Sequence, residues 1–163
     1  MVKHSVYRAI VLTFLLFLSG LALGCTQTRA ESKMAKDFSL ADLQGKIVSL
    51  SDYKGKPVIL FFWATWCTYC RQEFPRLVEE HNVMVRKGIE LLAIDIGEPK
   101  QRAENFLQGK NVGFPVLLDM DSKVAYANNL VGVPTFILID AQGVVQATEN
   151  GLPDDYAKIL NIK

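Results

Sequence analysis

The stretch FFWATWCTYCRQEFP, residues 61 to 75, places Cys67 and Cys70 two residues apart where an apolar run turns amphipathic. Thiols at this spacing serve metal binding, haem attachment, structural cross-linking or redox exchange. A tetrahedral zinc site needs four ligands, and beyond residue 24 the chain supplies Cys25, Cys67, Cys70 and a single histidine, His81, which makes zinc a poor match. Haem attachment needs histidine directly after the second cysteine, and that position is Arg71. An iron–sulfur cluster needs four thiolates, and the chain has 3 cysteines. A bridge across two residues closes so small a loop that it restrains the unfolded chain little. Redox exchange is the chemistry that survives.

The elements around the pair explain why it would react. PVILFFWA, residues 57 to 64, is a continuous apolar run of strand length suited to the centre of a sheet. Residues 67 to 87 read as a helix with Phe74, Leu77, Val78 and Val85 inward and Pro75 interrupting its hydrogen bonds. Cys67 thus falls where a buried strand gives way to a helix, and unpaired N–H groups with the positive end of the helix dipole favour its thiolate. Such settings bring a thiol from a pKa of about 8.5 to between about 3.5 and 7.5. Cys70, one turn further on, can attack a mixed disulfide formed at Cys67. The expected roles are attack by Cys67 and resolution by Cys70.

The rest of the chain alternates in the same way. FSLADLQGKIVSLSDYKGK offers short strands, IELLAIDIG (89–97) a buried strand, and EPKQRAENFLQGK (98–110) a helix with proline in its first turn. FPVLLD (114–119) is extended and DSKVAYANNL (121–130) helical by period, while VPTFILID (133–140) and VVQATEN (144–150) flank AQG as a hairpin. PDDYAKILNIK then closes the chain as a final helix that packs Ile159 and Leu160. This order predicts an α/β fold, a central mixed β-sheet flanked by helices on both faces. With 163 residues, half of them hydrophobic, the chain fills one core rather than two.

The N-terminal end reads differently. Residues 1–24 carry Lys3, His4 and Arg8, then the uncharged run AIVLTFLLFLSGLALG, the pattern of an export signal. LALGC, residues 21 to 25, is similar to a bacterial lipobox, although Ala22 and Leu23 depart from its usual residues; it makes Cys25 a candidate for lipidation. Cleavage after Ala30 and an uncleaved anchor are the alternatives. All three readings place the domain outside the cytoplasm, where a disulfide persists. Residues 25–36 read as a polar tether and residues 37–163 as the domain. Removing Lys3 and Arg8 with the signal takes the formal charge from +1 to −1, so nothing attracts nucleic acid.

Together, FFWATWCTYC, the EFP that follows, GVPTF at 132–136 and the entry stretch DFSLADLQGKIVSLSDYKGKPVILFFWA resemble the thioredoxin-like proteins, and within them the membrane-anchored TlpA and ResA type of disulfide reductase. The resemblance spans about residues 37 to 160. It implies a thioredoxin-like fold with Trp66 before the reactive Cys67, a cis bond at Pro134, and Val133 offering its backbone to a client segment beside the sulfurs. By helix spacing alone Glu73 is a solvated partner for Arg76. The resemblance instead makes it an acid that exchanges protons with the cysteine couple. Thioredoxins proper carry a buried aspartate in the preceding strand, where this chain has Phe61. Thr68 and Tyr69, between the cysteines, also depart from common versions, and they are expected to tune the redox potential.

The function so implied is extracytoplasmic, anchored thiol–disulfide exchange: reduction of disulfides in client proteins, apocytochrome c among the candidates, with electrons from a transmembrane donor. The expected molecule is a monomer that uses no metal and no cofactor beyond the Cys67–Cys70 couple. The rivals are an oxidase of the same fold, a thiol peroxidase and a non-catalytic binding module. The peroxidase pattern has threonine three residues before its cysteine and proline further upstream, where this chain has Ala64 and Leu60.

Overall fold

A computed structural model describes residues 33 to 162, within a compact unit that begins at Ser32. The segment read as an export signal, Cys25 and most of the stretch read as a tether lie outside the described residues. Seven strands form one sheet in the order β2-β1-β5-β4-β3-β6-β7. They are β1 (Ser39–Asp42), β2 (Ile47–Ser49), β3 (Val58–Trp63), β4 (Glu90–Ile96), β5 (Val116–Asp119), β6 (Thr135–Ile139) and β7 (Val145–Glu149). Among the described residues, four α-helices accompany them, α1 (Thr68–Arg86), α2 (Lys100–Leu107), α3 (Lys123–Ala127) and α4 (Tyr156–Ile159), with a 3-10 turn over Leu50–Tyr53. β3 pairs in parallel with β4 and antiparallel with β6, while β4 and β5 are parallel. This is the expected mixed sheet.

The sequence of β3 explains its central place. All six of its residues, VILFFW, are buried, and alternation sends them to two separate cores. Ile59, Phe61 and Trp63 join Cys70, Phe74 and Leu77 of α1 and Ala103 of α2 on one face. Val58, Leu60 and Phe62 join Phe38 and Ala125 of α3 on the other. A strand covered on both sides has no use for a polar residue, hence the unbroken apolar run.

Some elements differ from expectation. Val85 is 57% exposed, because Leu77 and Met84, seven residues apart, define the inward stripe and Val85 lies one step around the helix from it. The helix expected over 121–130 shortens to α3, since Ser122 and Asn129 both adopt left-handed backbone (φ 57° and 56°). Its first turn is held by Asp119 at the end of β5, which accepts the N–H groups of Val124 and Ala125. The final helix is a single turn, docked where Tyr156 donates to Glu80 of α1 at 2.9 Å.

Ordered pairing starts inside the stretch read as tether. Met34 bridges Val144, with Val145 N–H donating to the Lys33 carbonyl and Ala35 N–H to the Gly143 carbonyl. Residues 33 to 35 therefore lie along the start of the outer edge of β7. The β6–β7 turn beside them is built as AQG suggested: Asp140 accepts the N–H groups of Gln142 and Val144, and Gly143 takes φ 82°, a conformation that glycine adopts without steric cost.

Candidate active site

Strand β3 ends at Trp63, the chain turns through Ala64–Cys67 with Cys67 N–H donating to the Ala64 carbonyl at 3.1 Å, and α1 begins. Cys67 is the N-cap of α1, in extended conformation (φ −80°, ψ 109°), and its sulfur accepts the Cys70 N–H at 3.1 Å. A sulfur in the capping position receives the orphan donors and the positive pole of a 19-residue helix. Cys67 and Cys70 form a disulfide. Their exposure differs: Cys67 keeps 5% and Cys70 none. Of the two, only Cys67 keeps any exposure.

The Val133–Pro134 peptide opposite is cis, and the Val133 carbonyl oxygen lies 3.5 Å from Cys67 Sγ. In the dithiol state the Cys67 thiol can donate to it. Around the disulfide, Trp66 is 63% exposed, Tyr69 71% and Val131 fully so, an apolar rim uncommon on a soluble surface unless something covers it. Thr68 opens α1, and its hydroxyl receives a long contact of 3.5 Å from Arg71 Nη2.

Glu73 sits on the cleft side of α1. A cleft of about 430 Å³ is lined by Tyr69, Gln72, Glu73, Val133 and Pro134 among others. The Oε2 of Glu73 is buried there without a hydrogen-bond partner, and Arg76 Nη1 stands 4.0 Å away. The guanidinium is engaged elsewhere, on the Leu152 carbonyl at 2.9 Å and Asp154 at 2.5 Å. Glu73 thus faces the same cleft as the cis-proline loop, and the helical pair with Arg76 that its spacing suggested is present at 4.0 Å.

Three residues at this end of the sheet escaped the sequence reading. Both oxygens of Glu98, a buried residue, accept from Thr65: the N–H at 2.6 Å and the hydroxyl at 2.7 Å. Asp95 on β4 is fully buried, and no donor reaches either of its oxygens. Burial first, then the charge of Glu98 and a hydrogen bond toward it, push the Asp95 carboxyl up to about 8. The signal was available: an acid within IELLAIDIG cannot lie in a buried strand without consequence.

A raised carboxyl value means that the folded state holds a proton which the unfolded chain releases above the ordinary carboxylate range. The stability it contributes is complete below that range and is lost as pH rises through about 8. Asp95→Asn is expected to remove this loss. Urea titration of the oxidised protein would show a gain of about 1–3 kcal/mol at pH 8.5 and almost none at pH 4. Equal gains at both values would contradict this.

A disulfide-bonded cysteine capping a helix after the central strand, a second cysteine buried one turn on, and a cis-proline loop across from them define a thioredoxin-like thiol–disulfide oxidoreductase. The chain belongs to the AhpC/TSA family, whose sequence profile matches residues 32–148. It is similar to the thiol-disulfide oxidoreductase ResA of Bacillus subtilis (strain 168), 39% identical over 122 residues that cover 75% of this chain and 68% of that protein. ResA of Bacillus thuringiensis subsp. konkukian is 34% identical over 148 residues, covering 88% and 86%. Among solved structures, a thioredoxin-family thiol:disulfide interchange protein from Chlorobium tepidum TLS superposes with a TM-score of 0.70 at 28% identity, covering 81% of this chain and 96% of that one.

Proposed function

We propose that the protein is a reductase of client disulfides outside the cytoplasm. The carrying observation is the asymmetry of the couple: a helix-capping Cys67 with some exposure, ahead of a Cys70 with none. In the dithiol state Cys67 thiolate attacks a client disulfide; a Cys67–client S–S bond forms, the client bond breaks, and the released thiolate takes up a proton. Cys70 thiolate then attacks Cys67 sulfur and frees the second client thiol. Two electrons pass to the client, and the Cys67–Cys70 disulfide is the product. A membrane donor restores the dithiol, and Cys25 or the N-terminal apolar segment supplies an anchor. Among the described residues no helix is long and apolar enough to cross a membrane.

In this scheme the client strand lies against Val133 and Pro134, framed by Trp66 and Tyr69. Apocytochrome c, whose cysteines must be thiols before haem attachment, is one such client. Trapping tests the scheme: Cys70→Ser in the host is expected to accumulate mixed disulfides on Cys67 that dissolve in dithiothreitol. An absence of trapped protein would count against client exchange. Peroxide turnover is not expected, given Ala64 and Leu60.

Glu73 is proposed as the proton acceptor of the resolving step, because its unpartnered oxygen faces the cleft beside the couple. Glu73→Gln is expected to slow disulfide exchange near pH 7 by about tenfold, within the range for a general base. Stopped-flow tryptophan fluorescence across pH 5–9 would check it. Rates superimposable on the wild type at every pH would remove Glu73 from the mechanism.

A further inference from the structure

The acid pair beneath the reactive turn has no part in the exchange as written above. Asp95 stands opposite Trp63 in the β3–β4 register, and both project into the core that also holds Cys67 and Cys70. Trp63 Nε1, like the Asp95 oxygens, is buried without a partner. Three residues beyond Asp95, Glu98 grips Thr65 through two short bonds, and Thr65 is two residues before Cys67. Each carboxyl oxygen of Glu98 accepts one of these bonds, the N–H at Oε2 and the hydroxyl at Oε1, so the side chain is held against the turn at two points.

Other charged groups are accounted for. Arg102 of α2 approaches Glu98 at 3.9 Å from a mostly exposed position. Leu118 is the register partner of Asp95 on β5, and Asp119 beyond it turns to the opposite face, where it holds α3. Asp95 therefore faces one charge of consequence, that of Glu98.

We propose that Glu98 positions the Ala64–Cys67 turn through Thr65, and that it and the buried Asp95 set how readily Cys67 becomes a thiolate. They are positioning residues, since neither touches a reacting sulfur in the structure. Glu98 places one negative charge behind the turn, which opposes the thiolate. Asp95, while it keeps its proton, withholds a second charge. Helix capping favours ionisation of Cys67 and the pair restrains it. This inference rests on the oxidoreductase reading, but its readout is a titration rather than turnover, so the two can fail separately.

The test follows carboxamidomethylation of Cys67 in the reduced full-length protein by mass spectrometry from pH 5 to 10, together with the pH dependence of its equilibrium with glutathione. Glu98→Gln removes the charge and is expected to lower the thiolate midpoint, raising the labelling rate at a pH below that midpoint about threefold. Asp95→Asn is expected to leave that rate in place and to abolish an alkaline inflection, centred near the Asp95 titration, in the glutathione equilibrium. Thr65→Ala should shift the midpoint and Thr65→Ser restore it. A purely structural pair would lower thermal stability and leave every profile superimposable on the wild type, which would overturn the proposal. If Glu98→Gln fails to fold, persistence of the inflection in folded Asp95→Asn, or an unmoved midpoint in Thr65→Ala, overturns it equally.

Discussion

Cys67→Ser is expected to lower the reduction of insulin disulfides by dithiothreitol-charged protein by on the order of 10³-fold or more, to the uncatalysed rate. Serine keeps the size of the side chain and its capping of α1, so the fold should survive; what disappears is the sulfur of the one cysteine of the pair that keeps any exposure. Cys70 cannot substitute, because it has no exposure and lies one turn inside the helix. Cys70→Ser should behave differently, giving a single stoichiometric burst of client thiol and then a stall, since the first exchange needs Cys67 alone. Quantifying released thiol per protein separates the two variants. Retention of a tenth or more of wild-type turnover by Cys67→Ser would refute the assignment of the attacking sulfur.

Phe61→Ala is expected to cost about 3–5 kcal/mol of stability, the usual range for emptying a buried aromatic site. Phe61 has no exposure, stacks on Phe136 across the β3–β6 pairing with ring centroids 4.7 Å apart, and meets Phe74 of α1 edge-on at 5.6 Å. It thus ties the central strand to its neighbour and to the helix that Cys67 caps and Cys70 belongs to. For a domain of this size the loss corresponds to a fall in Tm of roughly 10–20 °C. Calorimetry of the oxidised protein measures it directly, and a fall of less than about 3 °C would mean that the site collapses around the missing ring. The same ring occupies the place where thioredoxins proper carry a buried acid. Here the acids sit one strand over, at Asp95 and Glu98.

That displacement shows what the sequence could and could not reveal. The cysteine pair, its strand-to-helix setting and the two-sided burial of β3 were legible because each depends on residues within one local window. Glu73 was ambiguous: its i+3 spacing to Arg76 suggested a surface pair, and only the folded chain brings it beside Val133 and Pro134, some sixty residues on. Asp95 and Glu98 were missed altogether, since their meaning lies in the register of β4 against β3 and in a hydrogen bond to Thr65, 33 residues earlier. Val85 was misplaced by a single step because an apolar side chain near the end of a helix carries no mark of which way the last turn faces.

The short bridge between Met34 and Val144 has a practical corollary for laboratory handling. By lying along the opening of the outermost strand, residues 33 to 35 shield backbone groups that would otherwise be free to recruit a second molecule. A recombinant fragment trimmed to begin at Phe38 would keep its entire reactive centre and yet lose this guard. Clumping in such a preparation would reflect an uncovered border, not a defect in the chemistry at the opposite end of the sheet.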